Sequence, residues 1–193
     1  QLLKTEHGYL FLSDETGEEL EQKVGIGVFA DSVGTRIRRD EGASGQVMST
    51  GHPILVEDYR VWDNRAPNYE HMPLKAVIAV PLKSHDRTVG TIGVGFKPDY
   101  EAALGKEEIN LVSRFAELAS VALDNARLLA GTQAQTRKLE VLNEMGKRLS
   151  LADCDNAIYK VVTEFTPRLL PADRVSIAVL TDDRTALEIL ALH

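Results

Sequence analysis

The chain has 193 residues, of which 44% are hydrophobic and 26% are charged, and its formal net charge is -7. This composition is typical of a globular protein that can bury a substantial core. The 29 acidic residues outnumber the 22 basic ones, which argues against a nucleic-acid partner, because phosphates require a basic face.

Cysteine usage and hydropathy bear on the compartment. Cys154 is the only cysteine, which rules out a disulfide within the chain and a multi-cysteine zinc or iron–sulfur site. No uninterrupted apolar run is long enough to span a bilayer, and the first residues do not have the pattern of a signal peptide. We therefore predict a cytoplasmic protein that makes no direct membrane contact.

The first part of the sequence is predicted to form strands and turns. An apolar run at residues 9–12 is followed by the turn DETG and by a second run that alternates at Val24, Ile26 and Val28, which is typical of a β-hairpin. Two further β-rich runs, residues 76–82 and 88–96, are separated by a short turn and predict a second hairpin.

The stretch EGASGQVMSTGHPILVED, residues 41–58, predicts a short helix followed by a strand. Ser44 is suited to cap the helix, Gly51 to end it in the left-handed conformation, and Pro53 to direct the chain into an extended strand. The stretch lacks the Lys-Ser/Thr ending of a P-loop. One alternative stays open, in which amides near residues 43–46 face an anionic ligand at the helix N-terminus.

From Lys106 the apolar spacing becomes helical, and two neighbouring stripes together cover roughly 200° of the helix surface, about twice what one core-facing side needs. The first stripe is Ile109, Val112, Ala116, Ala119, Leu123 and Ala126. The second is Leu111, Phe115, Leu118, Ala122 and Leu129. We predict that the first lies on a sheet and that Leu111, Phe115, Leu118 and Ala122, which follow a coiled-coil spacing, form a homodimer. The alternative is a helix buried more deeply in its own domain.

The remaining sequence predicts a helical connector and a partial repeat. Residues 131–150 are polar at first and then amphipathic, and Gly131 is the weakest point of this helix. The later segment SIAVLTDDRTALEILAL repeats the pattern of GYLFLSDETGEELEQKV near the start of the chain, which indicates two copies of one unit. The predicted domains are residues 1–130, a linker at 131–150, and the start of a truncated second copy at 151–193.

These features together resemble the GAF-domain family. Gly42, Gly45, Gly51, Pro53 and Asp58 occupy the places of the family's glycine-flanked helix, Gly-x-Pro turn and acidic residue after a strand, and LKAVIAVPLKSHDRTVGTIGV is similar to its central hairpin. The resemblance covers residues 1–130, without the leading helix of the family, and restarts near residue 135. It implies an α+β fold with a central antiparallel sheet, helices packed on one face and a long C-terminal helix.

The resemblance also implies a regulatory or sensory module of a multi-domain signal-transduction protein, such as a histidine kinase of a two-component system or a nucleotide cyclase. Such a module binds a small ligand or a neighbouring domain and relays the signal through a dimerising helix. A ligand-free dimerisation module is the alternative. A weaker alternative is an enzyme similar to the methionine sulfoxide reductases of the family, which need pocket cysteines that the first unit lacks. We predict no enzymatic activity and no catalytic residue, because the sequence shows neither a Ser-His-Asp order nor paired catalytic carboxylates. We predict no metal site, because the histidines are scattered singly.

In the GAF family the ligand lies between the sheet and the segment that joins the third and fourth strands, which corresponds here to residues 58–75. The resemblance therefore implies a ligand site at Asp58, Trp62, Tyr69, His71 and Lys75, and this mixture of aromatic and polar groups suits a small molecule. A cyclic nucleotide is one candidate, although this sequence keeps only part of the family's nucleotide motif. In the alternative interpretation the segment packs on itself around Trp62.

Overall fold

The structure, a computed structural model, describes residue 3 and residues 5–85, 87–170, 174–180 and 187–192, without the side chains of residues 190–192. The chain divides into two compact units, Gln1–Asn125 and Ala126–His193. The division falls within a long helix, and the predicted domain bounds at residues 130 and 150 stay predictions.

A six-stranded antiparallel sheet forms the centre of the first unit. Its strands are β1 His7–Ser13, β2 Glu19–Ile26, β3 Arg36–Arg38, β4 Ile54–Val56, β5 Ala76–Ser84 and β6 Arg87–Phe96. They lie in the order β3-β2-β1-β6-β5-β4. Helix α1 is Gly42–Thr50, and short 3-10 helices span Gly27–Ser32 and Pro67–Tyr69. The predicted α+β class with a central antiparallel sheet is confirmed.

Both predicted hairpins are present, as the pairs β1–β2 and β5–β6. The first differs from the prediction in one respect. Leu10 pairs with Val24 and Phe11 with Gln22, so Lys23 is an extra residue that forms a bulge in β2. Gln22 is fully buried, whereas Val24 and Ile26, which share the other face of the sheet, are 46% and 59% exposed. The predicted apolar alternation therefore does not mark the core-facing side of β2.

The two faces of the sheet bury separate cores, because side chains alternate along each strand. On one face, Tyr9, Phe11 and Val77 pack with α1 and with the segment between β4 and β5. On the other, Ile78 and Phe96 pack with the start of the long helix α2, Lys106–Ser150. We call these the α1 face and the α2 face.

The corner around α1 confirms part of the prediction and corrects part of it. The N-cap residue is Glu41, whose side chain makes no capping hydrogen bond, and the predicted cap Ser44 lies inside the first turn and is buried. The chain enters the helix at Gly42 with φ 67°, three residues before Gly45, where a helix capped by Ser44 would begin. Gly51 ends the helix at φ 69°, and its N–H donates to the carbonyl of Val47 at 2.8 Å, as the left-handed glycine prediction requires.

Helix α2 presents one apolar stripe to the sheet. Val112 and Ala116 are buried against the α2 face, and Ile109 and Ala119 pack beside them. The second stripe is not covered in the same way: Phe115 is 46% exposed and Leu118 is 70% exposed. Among the described residues, no helix has the length and apolar character needed to cross a membrane.

The second unit contains helix α3, Asp155–Leu169, and an antiparallel pair of strands, β7 Ser176–Leu180 and β8 Leu187–Leu192. Phe165 in α3 is fully buried, and the guanidinium groups of Arg148 and Arg168 lie over its ring, at 5.4 and 5.0 Å from the centroid. Both arginines also pair with Glu164. Residues 181–186, in the middle of the predicted repeat SIAVLTDDRTALEILAL, lie outside the described residues.

Candidate functional site

The α1 face encloses a cavity of about 30 Å³, enough for one or two water molecules. Five aromatic rings form much of its wall, those of Tyr9, Phe11, Phe29, Tyr59 and Tyr69. The first turn of α1 forms the polar end. The remaining wall is contributed by Ile37, Ala66, Leu74 and Val77. A small, largely aromatic cavity with one polar end has the general character of a small-molecule site.

Three of the five rings come from alternate residues of β1 and from the 3-10 helix that follows β2, and Tyr59 and Tyr69 come from the segment between β4 and β5. The Tyr9 ring meets Phe11 and Phe29 edge to face, with ring centroids 5.5 and 4.6 Å apart. Glycines in β6 make room for these rings. A Cβ atom on Gly93 would clash with the Tyr9 ring, and one on Gly95 would lie 3.0 Å from Phe29 Cε2. The rings are therefore held in place by the backbone behind them.

A buried polar chain crosses one side of this wall. The Tyr69 hydroxyl donates to Gln22 Oε1 at 2.7 Å, and Gln22 Nε2 donates to the carbonyl oxygen of Phe29 at 2.7 Å. Burial raises the pKa values of Tyr59 and Tyr69 to about 12, so both phenols are neutral at physiological pH. The chain links β2, the 3-10 helix and the segment between β4 and β5.

The polar end of the cavity is formed by Gly42, Ala43 and Ser44, all of which are buried. Their backbone N–H groups are the first three of α1 and take part in none of the described hydrogen bonds. The Ser44 hydroxyl is also buried without a hydrogen-bond partner. The Tyr9 hydroxyl lies near it but does not reach hydrogen-bond geometry, and burial raises the pKa of Tyr9, an effect that Ser44 partly offsets.

Of the predicted ligand residues, Tyr69 is the one that lines the cavity. Trp62 is half-buried and packs on the same core, with its ring centroid 6.1 Å from that of Tyr59, behind the wall. This position agrees with the alternative in which Trp62 anchors its own segment.

The other three predicted residues lie away from the cavity wall. Asp58 forms a two-pronged ion pair with Arg60, at 2.7 and 2.9 Å, and the Arg60 guanidinium lowers the pKa of this carboxyl. Lys75 Nζ donates to the carbonyl oxygen of Tyr100 at 2.9 Å, and His71 is exposed. Their assignment to a ligand site stays a prediction.

Sequence reasoning missed most of the wall. Tyr9 and Phe11 have the strand alternation that marks an inward face, so this signal was available. Gln22 gives no such signal, because the bulge at Lys23 changes the face that its strand presents. The sequence predicts Ser44 as a helix cap, and its position at the cavity follows only from where α1 begins.

The fold agrees with comparisons to known proteins. A family model for the GAF domain matches residues 1–124, and the chain therefore belongs to the GAF-domain family. The fold is similar to that of the GAF domain of a Coxiella burnetii phosphoenolpyruvate-protein phosphotransferase, with a TM-score of 0.58 and 19% identity, covering 67% of this chain and 77% of that chain.

Two further structures show the range of proteins that share the fold. A GAF domain/HD domain protein from Geobacter sulfurreducens matches with a TM-score of 0.55 and 16% identity, over 66% of this chain and 85% of that chain. The free methionine-R-sulfoxide reductase from Neisseria meningitidis matches with a TM-score of 0.54 and 19% identity, over 64% of this chain and 70% of that chain. At these identities the likeness shows the fold alone, because one fold can carry different functions.

Proposed function

We propose that the chain is the sensory GAF module of a multi-domain signal-transduction protein, which binds a small ligand in the cavity of the α1 face and relays the signal through α2. The observation that carries this proposal is the position of the cavity directly behind the strands on which α2 rests. A histidine kinase or a nucleotide cyclase is the kind of output protein that fits such a relay.

The sheet connects the cavity directly to α2. Val77 lines the cavity, and its neighbour Ile78 points to the opposite face and packs under α2. In β6, Gly93 lies against Tyr9 of the cavity wall, whereas Ile92 and Val94 face α2. A ligand that displaces the rings presses on these strands. For the ligand to control α2, the module must have two arrangements of α2 that differ in the affinity of the cavity for the ligand.

We also propose that the exposed stripe of α2 at Leu111, Phe115, Leu118 and Ala122 forms a homodimer. Its support is the coiled-coil spacing together with the exposure of Phe115 and Leu118. Sedimentation velocity tests this part. We expect a dimer that Leu118→Glu dissociates and that the control Val61→Glu, at an exposed loop position, leaves intact. A monomeric wild-type chain would overturn the dimer.

We propose that the chain is not an enzyme. Its only cysteine, Cys154, is exposed at the start of α3 in the second unit and does not line the cavity. The small cavity volume favours, as a second candidate, a ligand-free connector in which α2 only sets the spacing of neighbouring domains.

Native and denaturing mass spectra of the same purified chain separate the two candidates. We expect extra mass that is lost on denaturation, because a retained ligand dissociates when the cavity unfolds. Ala43→Leu should remove this mass by filling the cavity, whereas Ala134→Leu, at an exposed position of α2, should leave it unchanged. A bare chain, or extra mass that persists in Ala43→Leu, would contradict ligand binding in this cavity and favour the connector.

A further inference from the structure

The cavity has unpaired hydrogen-bond donors at one end. The Ser44 side chain is 3% exposed and its hydroxyl has no partner, and the N–H groups of Gly42, Ala43 and Ser44 take part in no described hydrogen bond. Buried polar groups are normally paired, and each unpaired one destabilises the fold. Four unpaired donors on one helical turn at a cavity indicate a group that accepts several hydrogen bonds.

Charge favours an anion as that group. The N-terminus of a helix carries a partial positive charge, and α1 is a nine-residue helix. Its N-cap residue Glu41 does not compete for the amides, because its carboxylate accepts from the N–H of Arg38 at 3.0 Å. Among the described residues that line the cavity, none carries a carboxylate or a cationic side chain.

The size of the cavity and the chemistry of its wall restrict the class of anion further. A volume of about 30 Å³, enough for one or two water molecules, excludes a nucleotide in this arrangement of the rings and limits the ligand to the size of the smallest carboxylates. The wall beyond Ser44 is aromatic and aliphatic, which suits a short apolar tail. A carboxylate offers two oxygens with about four acceptor positions, which matches the four donors.

We therefore propose that the α1 end of the cavity binds the carboxylate of a short-chain monocarboxylate, with acetate and propionate as the simplest members. The amides of Gly42, Ala43 and Ser44 and the Ser44 hydroxyl hold the carboxylate, and the rings of Tyr9 and Phe29 enclose the tail. This inference rests on the proposed ligand function of the same cavity and specifies its ligand class.

Isothermal titration calorimetry of the full chain with sodium acetate, sodium propionate and acetamide tests the proposal. We expect saturable binding of both carboxylates and none of acetamide, which has nearly the same shape but no charge. Ser44→Ala should weaken acetate binding about tenfold, because a hydrogen bond to a charged group is lost. Ser49→Ala is the matched control on the same helix, since the Ser49 hydroxyl donates to the carbonyl of Arg39 and not into the cavity.

The outcomes separate this inference from the function on which it rests. Failure of the wild-type chain to bind either carboxylate, or equal binding of acetate and acetamide, overturns the inference, and neither observation depends on a variant folding. Acetate affinity that is equal in Ser44→Ala and Ser49→Ala also overturns it. If the mass spectra show a cavity ligand that is not a carboxylate, the inference fails and the proposed function stands. If they show no ligand and the carboxylates do not bind, both fail.

Discussion

The two faces of the sheet in the first unit use the same strands and differ in what they bury. The α2 face buries aliphatic side chains and Phe96 under the start of the helix, and its buried Ser120 hydroxyl is paired with the N–H of Lys83 at 3.0 Å. The α1 face buries tyrosines, Gln22 and the unpaired Ser44 hydroxyl around a cavity. The buried Ser120 hydroxyl on one face is paired, whereas the other face retains a cavity and the unpaired Ser44 hydroxyl.

This difference indicates how a small domain combines stability with binding. Close packing on the α2 face contributes stability, because apolar side chains fill the space between sheet and helix. The α1 face contributes less to stability, because unpaired polar groups and empty volume are both unfavourable. Substitutions on the two faces should therefore differ in their effects on unfolding and on binding.

The largest effect is expected for Ile78→Ala on the α2 face. Ile78 is fully buried, and removing three carbon atoms from a packed core lowers the free energy of unfolding by about 2–5 kcal/mol. Denaturant unfolding followed by circular dichroism measures this change. Ile26→Ala is the control, because Ile26 is 59% exposed and should change stability by less than about 0.5 kcal/mol. Similar losses in both variants would show that the α2 face is not tightly packed.

A smaller loss of stability is expected for Gly93→Ala in β6. The added methyl group would clash with the Tyr9 ring, and forcing extra volume into a packed site lowers stability by about 1–3 kcal/mol. The same unfolding experiment measures it. Gly8→Ala in the adjacent strand is the matched control, because its Cβ atom would lie at an ordinary 3.5 Å from the carbonyl oxygen of Gly93. An unchanged Gly93→Ala protein would mean that the rings of the cavity wall move easily.

The α2 face was easier to predict from the sequence than the α1 face. The stripe of Val112 and Ala116 follows helical spacing, and the hairpin β5–β6 follows from two β-rich runs, so local patterns carried this information. The cavity depends on the register of β2 and on the residue at which α1 begins. A bulge at Lys23 places Gln22 inside, and Gly42 begins α1 so that Ser44 faces the core, which no local pattern shows.

The smallest effect that we expect is a pH dependence of the free energy of unfolding that arises from His7 on the α1 face. His7 Nδ1 accepts from the N–H of Val28 at 3.3 Å and so ties β1 to the 3-10 helix that carries Phe29. Desolvation by burial and the nearby Lys97 lower the pKa of His7 below its usual 6.5, while Glu6 and Asp99 oppose the shift. Below pH 6.5 the unfolded chain therefore binds a proton at this residue before the folded chain does.

The sign of the effect follows from this difference in proton binding. The contribution of His7 to stability is fully present above pH 6.5 and is lost as the pH falls from 6.5 through its lower pKa in the folded state. Protonated Nδ1 also cannot accept from Val28. We expect the free energy of unfolding to fall more steeply below pH 6.5 in the wild type than in His7→Asn, measured by denaturant unfolding at constant ionic strength. Parallel curves for the two proteins would show that the 3-10 helix does not depend on neutral His7, and that pH sensitivity is not a property of the α1 face.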